Sequence, residues 1–169
     1  MGCSYPGPEP GGKPGTHYFA IYLWELKGIK KEIRLQVVAS DDSVGENLLS
    51  YLETGIPLEA AAFEQNQTGQ LDQKHHACWL NACKEFHEQM QKLAQTRLQS
   101  LTASYNAETR SVKAALMLSD EPNFQRMKKK QLENIETSFS ERCREIKQQA
   151  ENSDILTQRI LTGIIEVEA

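Results

Sequence analysis

Five side chains able to bind a metal crowd one short segment: His75, His76, Cys78, Cys83 and His87. On a helix, His76, Cys83 and His87 stand at steps of seven and four, so they project from similar faces. Imidazole and thiolate are donors that zinc takes, and three of them would leave a fourth position open. The spacing matches neither a finger nor a ribbon, and no fourth ligand is evident beside it. Cys83 also falls on an apolar stripe with Trp79, Phe86 and Met90, where cysteine packs as a small hydrophobe. A packed cysteine among exposed histidines is the simpler account.

Two other patterns imitate chemistry. Gly7 to Lys13 fits the first seven positions of the phosphate-loop pattern GxxxxGK, but Pro14 stands where Ser or Thr would bind magnesium. No strand is expected before it and no helix after it, and its prolines remove amide donors that phosphates would need. The start Met1-Gly2-Cys3 imitates an acylation signal, with Pro6 in place of the required Ser or Thr. There is no GxSxG nucleophile elbow, and the many carboxylates further on are what any solvated helix face carries. No catalytic residue is assigned, and no cofactor is expected in this chain.

Charge offers a different chemistry. Between Asn106 and Gln131 stand six basic residues, Arg110, Lys113, Arg126, Lys128, Lys129 and Lys130, against the acids Glu108, Asp120 and Glu121. The whole chain carries a formal charge of −4, so this segment is a basic island on an acidic body. Such an island could meet phosphates or an acidic protein surface. The plain alternative is an ordinary solvated helix turn.

These residues need elements to hold them. From about Gln70 to Asn152 the chain reads as one long helix, a reversal near Leu118 to Pro122, and a second long helix. Ala94, Leu98, Leu101, Tyr105, Val112 and Ala115 recur at helical steps on the outgoing arm. Phe124, Met127, Leu132, Ile135, Phe139, Cys143, Ile146 and Ala150 do so on the return. Each arm has a narrow apolar seam, the pattern of helices that pair. Ser119 or Asp120 is expected to cap the second helix, with Pro122 in its first turn. An antiparallel hairpin of about 30 residues per arm would be roughly 45 Å long.

Tyr18–Leu26 and Glu32–Ala39 read as a β-hairpin, with Gly28 in the turn. The first strand is apolar on both faces, so it should be covered on both. Ile33, Leu35, Val37 and Ala39 give the second strand one apolar face. A lone hairpin is marginal in water, and Ile160–Val167 is its expected strand partner, with Gly163 marking a bulge. Ser43–Thr54 reads as a short helix with a Ser43/Glu46 capping box. Leu58 to Phe63 is ambiguous between helix and strand, and Gln65 to Gly69 reads as a polar loop. Residues 1–16 hold four prolines and five glycines and are expected to form a flexible leader or a fragment boundary. The expected fold is therefore α+β, one domain over residues 17–169. A coiled-coil-like helical hairpin at 70–152 projects from a small antiparallel sheet.

Of the 169 residues, 39% are hydrophobic and 25% charged, which is polar for a globular protein and suits a shape with much surface. No apolar run reaches the roughly 18 residues of a membrane span, and no secretory signal is evident. Four scattered cysteines without a disulfide framework point to reduced thiols in a cytoplasm.

The run Leu116 to Glu168 resembles the extreme C-terminus of bacterial and archaeal SWI/SNF-type helicases of the RapA/HepA group. The likeness rests on Pro122-Asn123-Phe124-Gln125-Arg126-Met127-Lys128, on the charged helix Leu132 to Gln149, on Ser153-Asp154-Ile155, and on Thr162-Gly163-Ile164-Ile165-Glu166-Val167. Tyr18 to Ala39 followed by Leu48-Leu49-Tyr51-Leu52 is similar to the accessory region that precedes that coil. The resemblance implies a non-catalytic accessory domain of an ATP-dependent DNA or RNA helicase. ATP and magnesium would belong to motor lobes in cis, and further partners would be DNA, RNA or RNA polymerase. No catalytic residue of that family maps onto this sequence. The reading from another class is a free-standing coiled-coil interaction module. No membrane partner is expected, and the sequence leaves the oligomeric state open.

Overall fold

A computed structural model describes residues 2–5, 13–57 and 65–168. The order of elements is β1 (Gly2–Tyr5), β2 (Gly15–Lys27), β3 (Glu32–Ala39), α1 (Asp42–Glu46), α2 (Leu48–Thr54), β4 (Ile56–Pro57), α3 (Gln65–Met117), α4 (Pro122–Glu151) and β5 (Asp154–Val167). The fold is α+β, with a five-stranded sheet ordered β3-β2-β5-β1-β4 and a long antiparallel helical hairpin. Its contacts group into two compact units. One holds the chain up to Leu26, Lys31–Lys84 and the stretch from Ile155; the other holds Lys27–Lys30 with Glu85–Asp154. Among the described residues no helix is long and apolar enough to cross a membrane.

In the sheet unit, β2 and β3 form the expected hairpin, with Phe19 opposite Ala39 and Leu23 opposite Leu35. Directly opposed residues share a face. One face buries Phe19 and Ala39 with Val44, Leu48 and Tyr51 of α1 and α2 and with Ile165 and Val167 of β5. Ala20, Tyr22, Trp24 and Leu26 alternate with these and are each at most 5% exposed. Ring contacts set Tyr22 and Trp24 against the first turns of α3. Strand β2 is thus covered on both sides, as its two apolar faces require. The apolar face of β3 is buried at one end alone. Ala39 is 3% exposed, whereas Ile33 is 70% and Leu35 63%, because α1 and α2 pack at the Ala39 end.

Several local expectations change. The leader supplies a strand after all: β1 runs parallel to β5, Cys3 opposite Ile165, and antiparallel to β4, Cys3 opposite Pro57. The sheet is therefore mixed rather than wholly antiparallel. Residues 2–5 precede the first proline and keep every amide N–H for pairing, which the proline argument overlooked. The GxxxxGK imitation from Gly7 to Lys13 falls mostly outside the described residues, as does Leu58 to Phe63. Gln65 to Gly69 is not a loop but the first turns of α3. Helix propagates more easily than it nucleates, so the turn packed through the buried Leu71 extends into this polar run. The Ser43–Thr54 helix is two helices capped differently. Asp41 is the N-cap and accepts the Ser43 backbone N–H at 2.9 Å and its hydroxyl at 2.5 Å. These bonds hold the Asp41 carboxyl below the usual range. The break falls at Asn47, whose side chain donates to the Ser43 carbonyl at 2.9 Å. Strand β5 begins six residues before Ile160, directly after the Asn152-Ser153 helix stop, and residues 163–165 are buried in a row.

In the helical unit, Glu85–Met117 of α3 pairs with α4. The half-buried or buried positions on this stretch include a regular series, Met90, Ala94, Leu98, Leu101, Tyr105, Thr109, Val112 and Leu116, flanked by Phe86, Leu93 and Ala115. On α4 the matching series is Phe124, Lys128, Leu132, Ile135, Phe139, Cys143, Ile146 and Ala150, with Gln125 half-buried beside it. Both series step 4-4-3-4-4-3-4, an eleven-residue repeat of about 3.67 residues per turn, which keeps a seam facing its partner without the left-handed winding of heptads. Tyr105 stacks on Phe139 with centroids 4.3 Å apart, which fixes the antiparallel register. That register sets Ala94 across from Ala150, Thr109 across from Ile135 and Val112 across from Leu132. Met127 lies off the seam and is 55% exposed; Lys128 takes the place expected for it.

The reversal has its own chemistry. Glu121, not Ser119 or Asp120, is the N-cap of α4, and no side chain caps it; Pro122 opens the helix as expected. The Gln125 amide reaches back instead, donating to the Leu116 carbonyl at 2.8 Å and the Ser119 carbonyl at 2.7 Å. It satisfies the end of α3, where carbonyls lack helical partners.

Candidate nucleic-acid and partner interface

The six basic residues sit on the two helices beside this reversal. Arg110, Lys113, Arg126, Lys129 and Lys130 are exposed, and Lys128 is half-buried. Lys128 holds its ammonium 5.6 Å from the Phe124 ring centroid and donates to Gln131 Oε1 at 3.0 Å. Its stem completes the seam while its charge stays at the edge, as long cationic side chains do. Arg110 Nε donates to the Asn106 carbonyl one turn back, at 3.1 Å. Among the described residues no carboxylate lies within ion-pair distance of any of the six. Arg126, Lys129 and Lys130 line an open concavity of about 610 Å³ with Pro122, Gln125 and Glu133. This arrangement displays hydrogen-bond donors and positive charge on the two helices.

The histidine and cysteine cluster does not converge. Among the described residues no three His, Cys, Asp or Glu side chains stand close enough to hold a metal ion. His76 and Cys83 are two turns apart on one helix, a rise of about 10 Å, which no single ion spans. His76 stacks on Trp79 at 5.6 Å between centroids. His87 belongs to the helical unit, where its Nδ1 lies 2.9 Å from Ser153 Oγ. The Ser153 hydroxyl gives its proton to the Ala150 carbonyl at 2.8 Å, so His87 Nδ1–H is the donor to the serine. His87 thus secures the start of α3's paired stretch to Ser153, the residue just past the C-cap of α4.

His75 has a role of another kind. It is 6% exposed, stacked on Tyr22 with centroids 3.5 Å apart and planes 10° from parallel. Trp24 Nε1–H donates to its Nε2 at 2.9 Å, and Thr157 Oγ1 lies 3.2 Å from the same atom. An indole N–H can only donate, so Nε2 carries no proton and the ring is neutral with its proton on Nδ1. Burial lowers the His75 pKa, and the His76 charge adds to this against the opposing Asp72. One step along, Tyr22 donates its hydroxyl to Asp72 Oδ1 at 2.6 Å, and Arg159 grips both Asp72 oxygens at 2.9 and 3.1 Å. Burial first, then the bond to Asp72, pushes the Tyr22 pKa up. The group pins β2, α3 and β5 together. His75 Nε2 is fully engaged, which leaves it no lone pair for a metal or a substrate proton.

The sequence reading missed this cluster although its pieces show a pattern. Tyr22/Trp24 and Thr157/Arg159 are two apart on strands, and Asp72/His75 are three apart on a helix. Each pair matches the period of its own element, but nothing in the sequence says that the three pairs meet. Comparisons with protein-family models, curated proteins and solved structures give no match to this chain.

Proposed function

We infer that this chain is a non-catalytic docking domain, and that it serves an ATP-dependent SWI/SNF-type DNA or RNA helicase as a C-terminal accessory part. The observation that carries the reading is the hairpin itself: two paired arms presenting Arg110, Lys113, Arg126, Lys128, Lys129 and Lys130 at the reversal, with no carboxylate partner among the described residues. A rigid double helix transmits position rather than chemistry, and its unpaired cations suit phosphates or an acidic surface. ATP and magnesium would be bound by the motor lobes, in cis. The resemblance of Leu116 to Glu168 to the RapA/HepA group is what names the motor.

The half-buried seam supports a second reading, a free-standing coiled-coil interaction module, since such a seam accepts further helices. The coding sequence around this chain separates the two. Two helicase lobes in frame with Tyr18 support the accessory-domain reading. A frame that joins this chain to no motor removes it and leaves the interaction module.

A further inference from the structure

The Tyr105–Phe139 stack fixes more than the pairing of the seam. With about 100° per residue, Gln91, Gln95, Gln99, Asn106 and Lys113 fall along one side of the α3 seam. In the antiparallel register, Arg126, Lys129, Arg144 and Lys147 fall along the same side of the α4 seam. The surface bears this out: Gln91, Gln95, Gln99, Asn106 and Lys147 border one open groove of about 1060 Å³. All nine side chains are exposed. Four carboxylates, Glu88, Glu133, Glu136 and Glu151, stand on this flank as well, against the cations Lys113, Arg126, Lys129, Arg144 and Lys147 and the groove-lining Lys92. The opposite flank sets Arg97 and Arg142 against Glu108 and Glu145 and so carries no net charge.

Resting on the docking reading, we propose that this flank is a binding face for the phosphodiester backbone of nucleic acid. Its cations come in two pairs, Arg126 with Lys129 and Arg144 with Lys147. The pairs are eighteen residues apart, five helical turns or about 27 Å. Between them α3 offers amide side chains. Lysine, arginine, glutamine and asparagine are the residue types that contact phosphate and sugar, and they do so without reading sequence. A protein partner would need apolar anchors at the centre of its contact. None of the large apolar side chains that stand exposed among the described residues lies on α3 from Gln91 to Asn106 or on α4 from Lys129 to Glu151. Four neutralised phosphates would give a slope of log K against log salt between about −3 and −4, at roughly −0.9 each.

The test is fluorescence anisotropy of the full chain with labelled 20-base-pair duplex DNA, duplex RNA and a single strand, from low to physiological salt. Binding of any of the three with that slope is expected. The double variant Lys129→Glu with Lys147→Glu should weaken it at least tenfold and flatten the slope by about 2. Arg97→Glu with Arg142→Glu changes the net charge equally on the other flank and should cost less than threefold. Circular dichroism checks that both variants keep their helices. No binding at low salt, equal losses from the two variants, or binding of polyglutamate in place of nucleic acid would each overturn the proposal. Those outcomes leave the accessory-domain reading untouched, since that one falls on the coding frame.

Discussion

Tyr22 and Phe139 are both aromatic rings stacked on a side chain from another element, yet Tyr22 is 4% exposed and Phe139 is half-buried. The difference is architectural. A sheet layered on both faces encloses its side chains, and there polar groups must find partners, as Tyr22, Trp24 and His75 do. Two paired helices enclose a seam from one direction and leave its edges wet. Stability should therefore be concentrated in the sheet unit, while the helical unit offers long, accessible faces. The sharpest test is a matched pair of truncations. Phe19→Ala, at a site 1% exposed, should cost about 3–5 kcal/mol in urea unfolding. Phe139→Ala should cost about half as much, because its partner Tyr105 can relax into water. Equal costs would mean that the seam is as closed as the sheet.

The next effect is the titration of His75. Its pKa is lowered in the folded chain, so as pH falls through about 6.5 the unfolded chain takes up a proton first. Stability should be full above pH about 7, decline from about 6.5 toward the folded pKa, and level off below it. A charged ring would also lose the Trp24 bond, since Nε2 could no longer accept. His75→Gln keeps an acceptor near the indole and should flatten this part of the thermal-melting profile between pH 7 and 5. A profile unchanged by the substitution would show that another group titrates there.

The seam carries a flaw that can be repaired. Thr109 Oγ1 is buried without a hydrogen-bond partner, opposite Ile135 in the register. Removing an unsatisfied buried hydroxyl is worth about 1–3 kcal/mol. Thr109→Val should raise stability by about 1 kcal/mol, near the low end because the site borders solvent, and Thr109→Ser should not.

What could be read from the sequence followed from periodicity. Residues such as Phe139 and Leu101 announced their arms because a helix repeats, and Tyr18 to Leu26 announced a buried strand because both its faces are apolar. The apolar face of β3 is left open at Ile33 and Leu35, since a strand's pattern says which side is apolar but not how far a covering helix extends. The eleven-residue repeat is hidden in the sequence by Met127, which keeps a step of three from Phe124 but stands exposed, and by Ala115, which is half-buried beside Leu116 rather than in the series. His76 and Cys83 do not meet because of rise: a shared helix face is not a shared point. The six basic residues at the reversal were legible as charge, whereas the longer flank to Lys147 needed the Tyr105–Phe139 register before its two arms could be aligned. The His75 cluster depends on three elements meeting, and no local pattern encodes that.

The smallest effect tests how the hairpin turns. With Ser119 and Asp120 idle as caps, the Gln125 amide is the side chain that joins the end of α3 to the start of α4. Both carbonyls it reaches are near solvent, so water can replace part of what it gives. Gln125→Ala should cost about 0.5–1.5 kcal/mol, the net worth of an ordinary hydrogen bond. Gln125→Glu offers an acceptor to two carbonyls and should cost more, and the excess should vanish in acid as the carboxyl is protonated and can donate. If both substitutions were neutral, the reversal would be held by the seam pair Val112 and Leu132 alone, and the two-helix unit would need no polar lock of the kind that His75 provides in the sheet.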